Sequence, residues 1–497
     1  MDVTFSCIIW LLFTWLSIIA LNSIFRGTKP AFRKLPPGPN ELPIIGNLLA
    51  LGKKPHRSLA KLAKIHGSIM SLHLGQLTTI VISSKSIAKQ VLLTHDSSFC
   101  NRSVPNALLA HQHDDFSMIW LPASTAWRTL RKISNSHIFI TQKLDASQDL
   151  RRKKVQQLLT YVEENCHAGK AIDIGRAAFS TSLNLISNTM FSVDLADPKS
   201  EFRELVWNIM VEVGKPNVAD YFPVMKKIDP QGIKRRLTIH FGKMLGLFDR
   251  MIDQRLKLRE VPGYVKTNDM LETLLNIMEN KTEAINRDYI RHLFLDLFDA
   301  GTDTTSNTLE WAMAELLQNP EALSNAQLEL EETIGKGNPV EESDITQLPY
   351  LQAIIKETLR LHPPAPFLIP RKSSTDVEIN GFTIPKDARV LVNVWAIGRD
   401  ENLWDDPNTF LPERFLGSNV DVKGRNFELI PFGGGRRICP GLPLAIRMLH
   451  LMLASLLHAF DWKLDDGITP EEMDMEDKFG ITLQKAKPFL AIPVARK

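Results

Sequence analysis

The stretch PFGGGRRICPG, residues 431–441, holds the residue types and spacing that most clearly suggest chemistry. Three consecutive glycines, Gly433–Gly435, fit neither a helix nor a strand core, and they let the backbone approach a large flat group. Cys439 follows two arginines and precedes an apolar helix predicted over 442–460. Free N–H groups at a helix N-terminus favour a thiolate. A lone cysteine is by default a small buried hydrophobic residue, but these polar surroundings favour a functional thiolate.

A second pattern is AGTDTT, residues 300–305, within a helix predicted over 289–317. Gly301 and the three threonines are poor helix formers in the middle of a helix. A local sequence that opposes its own secondary structure is typical of a functional site. The alternative interpretation is that the hydroxyl groups only bond back to the carbonyl groups of their own helix.

The pattern FxxGxRxCxG, residues 432–441, resembles the haem-ligand loop of the cytochrome P450 family. The resemblance implies that Cys439 binds the iron of haem b as its axial thiolate, so Cys439 is the predicted metal ligand. It also implies that Phe432 packs beside the sulfur and that Arg437 pairs with a haem propionate. Thiolate donation to the iron favours cleavage of the O–O bond.

Further motifs match the same family in order along the chain. The resemblance implies that Thr304 hydrogen-bonds the oxygen being activated and that Asp303 helps to relay protons. Glu357 and Arg360 stand three apart on a predicted helix, and with Arg414 they match a buried structural network of the family. The residues that match cofactor contacts at the haem propionates are Trp127, Arg131, Arg371 and, with a solvated surface charge as the alternative, Arg102.

Helical periodicity runs through most of the chain after residue 60, and the predicted strands cluster early and late. The clearest amphipathic helices are at 59–64, 150–164, 202–213 and 239–259. Alternating apolar runs predict strands at 69–74, 79–83, 377–384 and 390–394. The expected fold class is mainly α with a small β-sheet region at one side. The resemblance refines this to the cytochrome P450 fold with an N-terminal transmembrane helix.

Residues 3–25 contain no charged residue, and a helix of that length spans about 35 Å, enough to cross a bilayer. The stretch is too long for a cleaved signal peptide, and no small-x-small site follows it. We therefore divide the chain into a membrane anchor (1–25), a basic and proline-rich hinge (26–46) and a haem-binding monooxygenase domain (47–497). Basic residues after position 25 place the body in the cytosol, so we expect a single-pass protein of the endoplasmic reticulum membrane.

The 59 Lys and Arg residues nearly balance the 56 Asp and Glu residues, so the composition does not suggest binding to nucleic acid. Four scattered cysteines argue against a disulfide scaffold. No dinucleotide or flavin fingerprint accompanies the haem loop, so electrons must come from outside. The resemblance implies O2 as the oxidant and NADPH–cytochrome P450 reductase as the electron-donating partner.

Several longer segments resemble plant terpenoid hydroxylases and are most similar to the geraniol 8-hydroxylase group. These segments are 102–112, 205–217, 229–236, 427–445 and 476–486. The resemblance implies hydroxylation of a small apolar terpenoid, with geraniol or a related monoterpenol as the expected substrate and the 8-hydroxy compound as the product. Asp299 departs from the family pattern, because we expect an apolar residue there. It lies about 140° of helix from Thr304 and should point away from the haem, but geraniol becomes less suitable if it lines the pocket.

Other functions remain open at this stage. The substrate could be a larger terpenoid or another specialised metabolite. A haem-thiolate isomerase or dehydratase would need no O2, and the pair Asp303 and Thr304 argues against that class. A non-catalytic haem sensor or membrane interaction protein would have no use for a proton-relay helix beside an apolar pocket.

Overall fold

The computed structural model describes residues 3–25, 34–196, 200–464 and 467–496, with side chains only from Ser6 to Ser17 in the first segment. The basic part of the predicted hinge, residues 26–33, lies outside the described residues. The α-helices in the described segments are α1 (Val3–Phe25), α2 (Pro55–His66), α3 (Lys85–Lys89), α4 (Asp96–Phe99), α5 (His113–Phe116), α6 (Thr125–His137), α7 (Thr141–Ala146), α8 (Gln148–His167), α9 (Ile174–Phe191), α10 (Glu201–Gly214), α11 (Val218–Tyr221), α12 (Ile233–Arg259), α13 (Met270–Glu279), α14 (Arg287–Gln318), α15 (Pro320–Ile334), α16 (Pro349–Leu361), α17 (Val394–Ile397) and α18 (Leu442–Ala459).

The strands are short, and within the described segments they form four small sheets. They are β1 (Ile69–Leu74), β2 (Leu77–Ile82), β3 (Asn101–Arg102), β4 (Ile172–Asp173), β5 (Arg371–Lys372), β6 (Val377–Ile379), β7 (Phe382–Ile384), β8 (Arg389–Val392), β9 (Phe460–Lys463), β10 (Asp477–Phe479), β11 (Leu483–Lys485) and β12 (Leu490–Ala495). The prediction of a mainly helical body with a small β-sheet region is confirmed.

The largest sheet joins the early and late parts of the chain. Its strand order is β1-β2-β8-β5-β3, and β2 pairs with β8 in parallel. Residues 377–384, predicted as strand, form the separate hairpin of β6 and β7. The sheets β4-β12-β9 and β10-β11 were not predicted, because several of their strands are too short to show an alternating pattern.

Helix α14 runs through the middle of the body and positions the site. The side chain of Asn286 caps its N-terminus, where Oδ1 accepts from the backbone N–H of Tyr289 at 3.1 Å. Its apolar residues are buried on several sides of the helix, as expected for a helix enclosed in a large core. It packs against α9, α16 and α18. Because α18 begins three residues after Cys439, this packing holds the cysteine loop against the central helix.

Among the described residues, α18 is the one helix both long and apolar enough to cross a membrane. More than half of it, 56%, is buried inside the body, which is typical of a core helix. The described side chains of α1 form a shorter apolar stretch, Ser6–Ser17. The membrane anchor over residues 1–25 therefore stays a prediction.

Candidate active site

Cys439 lies in the turn just before α18. Its backbone N–H donates to the carbonyl oxygen of Phe432 at 3.0 Å, which closes the loop around the sulfur. Burial raises the pKa of the Cys439 thiol, while the N–H groups of Gly441 and Leu442 and the charge of Arg131 oppose that rise. A thiolate at this position has backbone donors, but it needs a cation to offset its loss of hydration.

Gly435 lets the loop approach the preceding part of the chain more closely than any other residue could. Its φ is +66°, and a Cβ atom there would lie 1.9 Å from the carbonyl oxygen of Leu92. Both the left-handed backbone and the close approach require glycine. This explains one of the three glycines that the sequence places before Cys439.

The middle of α14 is open on one side. Within 292–317, a stretch that is described throughout, every residue is buried except Asp299, Ala300, Gly301 and Thr304. Ala300 is exposed although it lies inside a 32-residue helix with buried turns before and after it. Ala300 and Thr304 are four apart and therefore share a face. The exposure marks an internal opening that a cofactor and a substrate could occupy.

The hydroxyl groups of α14 bond back to their own helix. Oγ1 of Thr304 donates to the carbonyl oxygen of Ala300 at 2.8 Å, and the hydroxyls of Thr302, Ser306 and Thr308 make the same kind of bond. This is the pattern expected from the alternative interpretation of the AGTDTT segment, in which the hydroxyl groups bond back to carbonyl groups of their own helix. Thr304 differs from these neighbours because it faces the opening, where its oxygen can still accept a hydrogen bond.

Asp303 is buried, and its carboxyl group faces the C-terminal hairpin. It accepts from the hydroxyl of Thr482 and from Nε2 of Gln484, the latter at 3.1 Å. Burial raises the pKa of Asp303, and these hydrogen bonds act in the opposite direction. The structure thus leaves Thr304 at the opening and directs Asp303 toward β11, so the predicted proton relay through Asp303 stays a prediction.

Four arginines, Arg102, Arg131, Arg371 and Arg437, converge beside the cysteine loop, and we call them the arginine cluster. Arg102 and Arg371 are directly opposed in the β3–β5 pair. Burial lowers the pKa of Arg102 strongly, and the other three guanidinium groups lower it further. Among the described residues, Arg371 alone of the four has a carboxylate partner, Asp96, with Nη1 and Oδ1 at 3.1 Å. The cluster therefore has an excess of positive charge.

Arg437 and Trp127, both predicted as cofactor contacts, touch each other. The guanidinium carbon lies 4.2 Å from the centroid of the Trp127 ring. Nε donates to the carbonyl oxygen of Cys100 at 2.9 Å, and Nη1 donates to that of Met118 at 3.2 Å. Burial lowers the pKa of Arg437 to about 10; Arg371 and Arg131 act in the same direction, and Cys100 and Asp96 oppose them.

The thiol, the opening and the arginine cluster fit a haem group. Haem brings an iron cation for the thiolate of Cys439 and two carboxylates for the excess positive charge. Nε of Arg102 is buried and has no hydrogen-bond partner among the described residues. Because a buried donor without a partner is unfavourable, this atom also points to an anionic group bound beside it. Arg131 lies at the same place, with Nη2 donating to the carbonyl oxygen of Ile438 at 2.5 Å.

The structure places Glu357 between Arg360 and Arg414 in one buried network. Arg360 donates to both carboxylate oxygens of Glu357, each at 2.7 Å, and Nε of Arg414 donates to Oε1 at 3.0 Å. Arg360 also donates to the carbonyl oxygens of Gly398 and Pro407. The network connects α16 to the irregular chain before the cysteine loop, so we assign it a structural role.

Asp96 is a site residue that the sequence did not reveal. Its carboxylate pairs with Arg371 of the arginine cluster and with Nε of Arg436, the latter at 3.2 Å. These partners lie 275 and 340 positions away along the chain, so no local pattern connects them. Thr482 and Gln484 were also missed as partners of Asp303, although they lie in a segment noted for its family resemblance.

Comparisons with known proteins agree with this site. The family model described as Cytochrome P450 matches residues 36–492. The chain is 57% identical, over 99% of both chains, to a geraniol 8-hydroxylase from Swertia mussotii. It is 56% identical to a geraniol 8-hydroxylase from Catharanthus roseus, over 97% of this chain and 98% of the relative. It is 55% identical to a drimenol monooxygenase from Persicaria hydropiper, over 96% of each.

The chain therefore belongs to the cytochrome P450 family. As a member of that family it is a monooxygenase that uses haem-thiolate iron, O2 and electrons from a reductase.

Proposed function

We propose that this protein hydroxylates a small terpenoid alcohol, with geraniol as the first candidate substrate and 8-hydroxygeraniol as the product. The observation that carries this proposal is the 57% identity, over 99% of both chains, to a geraniol 8-hydroxylase. Apolar residues around the opening are compatible with a branched hydrocarbon chain. On α14 these are Leu297 and Ala300, and Leu297 belongs to a core cluster that also contains Leu121 and has Ile369 packed against it.

We further propose that the cofactor is haem b, with Cys439 as the axial ligand. When bound, the haem supplies the oxygen-activating chemistry. Cys439 holds the iron and donates electron density to it. Arg102, Arg131 and Arg371 orient the group by its carboxylates.

The residues of α14 control protons and water at the opening. The hydroxyl of Thr304 donates its proton to Ala300, so its oxygen would accept a hydrogen bond at the opening and hold a proton donor beside the oxygen that is activated there. Asp303 lies behind Thr304, and burial raises the pKa of this carboxyl group, which makes the group easier to protonate and suits it to a place in the proton relay. The apolar residues around the opening exclude water from the reacting carbon atom.

Electrons come from NADPH through a separate reductase that docks near the cysteine loop. The exposed basic residues offered to an acidic partner surface are Arg128, Lys132, Lys423, Arg425 and Arg436. Electrostatic attraction between the two proteins accelerates their association and weakens as the salt concentration rises. The anchor over 1–25 and the hinge over 26–46 hold the domain over 47–497 at the cytosolic face of the endoplasmic reticulum as a single-pass protein.

A second candidate substrate is drimenol, because a relative named for its oxidation is nearly as similar, at 55% identity.

The full-length protein in reductase-containing membranes should convert geraniol to a product 16 mass units heavier, in a reaction that needs both NADPH and O2. Cys439→Ala membranes serve as the inactive control. A higher kcat/KM for drimenol or a phenolic ether than for geraniol would contradict the substrate assignment. Turnover without O2 would support an isomerase or dehydratase instead.

A further inference from the structure

Three carboxyl groups follow one face of α14, at Asp296, Asp299 and Asp303, because spacings of three and four return to the same side of a helix. Asp296 accepts from the hydroxyl of Ser117 at 2.6 Å. Asp303 is bonded to Thr482 and the residues beyond it. Between them, Oδ1 of Asp299 is buried and has no hydrogen-bond partner among the described residues. The chain thus supplies partners for the first and the third carboxyl group and leaves the middle one open.

Asp299 lies where the opening begins. It is the first of the four residues on the middle of α14 that are not buried, and exposed Ala300 follows it. The segment that bonds Asp296 and the hairpin that bonds Asp303 flank it on either side. A buried polar atom without a partner is unfavourable by about 1–3 kcal/mol in proteins. Oδ1 itself has almost no accessible surface, but the residue is not fully buried, so a small rotation of the carboxyl group would let a ligand in the opening supply the missing partner.

The charge state of Asp299 selects the kind of ligand. Burial raises the pKa of Asp299 well above its usual value, and the nearby carboxyl groups of Asp296 and Asp303 raise it further. The raised pKa favours the protonated carboxyl group, which offers one O–H donor and one carbonyl acceptor. An alcohol hydroxyl is complementary to both. An ammonium group would require the ionised carboxylate, which this site disfavours.

We propose that Asp299 is a substrate-positioning residue that hydrogen-bonds the hydroxyl group of an alcohol in the opening beside α14. Asp299 precedes Thr304 by five residues, or about 7.5 Å along the helix axis. The hydroxyl is therefore held away from Thr304, and the opposite end of a chain-like alcohol is presented for oxidation. This inference rests on the proposed function, because it explains how an apolar pocket selects an alcohol and the carbon atom remote from its hydroxyl. It replaces the expectation from the sequence that an acidic residue at the pocket makes geraniol less suitable, because a protonated carboxyl group can bind the alcohol end of the substrate.

The test compares geraniol with the hydrocarbon that lacks its hydroxyl, by the change in the haem absorption spectrum on binding. Asp299→Leu should raise the Kd for geraniol roughly 3–10-fold and leave the Kd for the hydrocarbon unchanged or lower. Asp299→Asn keeps a donor and an acceptor and should stay within about threefold of the original protein. The matched control, Leu297→Ala, should weaken both ligands alike because it changes only an apolar contact.

A structural role for Asp299 predicts a different result. If the Asp299→Leu variant weakens both ligands equally, or neither, the inference is wrong. If Asp299→Leu fails to fold, the comparison of Asp299→Asn with Asp299→Ala decides in the same way.

If the proposed function is wrong, the unmodified enzyme does not oxidise geraniol. The inference is then tested on a panel of other alcohols, each paired with its deoxy analogue. A preference for the alcohols that is lost in Asp299→Leu supports it. Equal binding of both members of every pair contradicts it.

Discussion

Cys439 is half-buried and has backbone donors at the start of α18. Replacing it with alanine removes the only iron ligand that we assign to the chain. We expect Cys439→Ala to lose the red-shifted absorption band of the reduced carbonyl complex, and to lose turnover, because no neutral ligand supplies the electron density of a thiolate. The measurement is the reduced carbon monoxide difference spectrum together with product formation.

The control for this prediction is Cys166→Ala, which changes a half-buried free cysteine on α8. It should keep both the band and the activity. A normal band in Cys439→Ala would overturn the assignment of the iron ligand.

Thr304 is the one hydroxyl residue of the central part of α14 that is not buried. Thr304→Ala should still bind haem and geraniol, because the bond from Oγ1 to Ala300 is internal to the helix. Without the hydroxyl, proton delivery is impaired, and product formed per NADPH should fall roughly tenfold or more as peroxide is released. Thr308→Ala removes a similar bond at a buried position and should leave this ratio unchanged. An unchanged ratio in Thr304→Ala would remove Thr304 from the mechanism.

At the scale of single residues, the sequence predicts the local parts of the site and misses the long-range ones. The cysteine loop and the glycine–threonine segment are each contained in about ten positions, so residue types and spacing suffice. The partner of Arg371 lies 275 positions away, and the direction of Asp303 is set by a C-terminal hairpin. Such contacts depend on tertiary packing, which no local pattern encodes.

Among the structural elements, the loop before α18 depends on Gly435. A second glycine of the same chain, Gly417, provides a matched comparison. Gly435 and Gly417 have similar φ values of +66° and +69°, but a Cβ atom collides only at Gly435. Gly417→Ala should lower stability by about 1–2 kcal/mol through its backbone conformation. Gly435→Ala should lower it by a further ~1–3 kcal/mol, because Leu92 or the loop must move.

The measurements are the thermal unfolding midpoint and the haem bound per protein chain. Equal effects of the two alanine variants would show that the loop does not need its close approach to Leu92.

Helix α14 also carries a buried carboxyl group, Glu310, which accepts from the N–H of Phe489 at 2.9 Å. Burial raises the pKa of Glu310 to about 7. In the unfolded chain the group ionises near pH 4.3, so the folded protein should lose stability between about pH 4.3 and 7 and little more above that range. Glu310→Gln keeps the acceptor without the charge. Its stability relative to the original protein should increase across that window, and the difference should reach up to about 4 kcal/mol at pH 8.

The pH dependence of the thermal midpoint checks this prediction. Glu321→Gln, at an exposed position on α15, is the control. If the difference in stability between Glu310→Gln and the original protein is the same at pH 5 and pH 8, ionisation of Glu310 is not its cause.

The elements themselves were predictable where they are long. Periodicity predicted 150–164, and the structure has α8 at Gln148–His167. It predicted the strand at 69–74, which matches β1. Pairs of two or three residues such as β3 with β5 were not predicted, because long-range pairing rather than local pattern makes them strands.

For the whole molecule, the anchor should be separable from the chemistry. Deleting residues 1–25 should move a large share of the protein from the membrane pellet to the supernatant and leave the carbonyl spectrum intact. Some affinity for membranes should remain, because Val224 and Ile228 are largely exposed, at 70% and 69%. An unrelated apolar helix in place of residues 1–25 should restore sedimentation. Loss of haem from a folded truncated protein would show that the boundary is wrong.

The arginine cluster has a consequence for the abundance of the enzyme. Its like charges repel one another, and a bound dianion relieves that repulsion. A ligand that binds only the folded chain stabilises it by about 2.7 kcal/mol at a hundredfold excess over Kd. When porphyrin synthesis falls behind translation, more copies stay unfolded, and proteases remove them. The capacity of a cell for this oxidation then follows its iron and porphyrin supply as well as the expression of the gene.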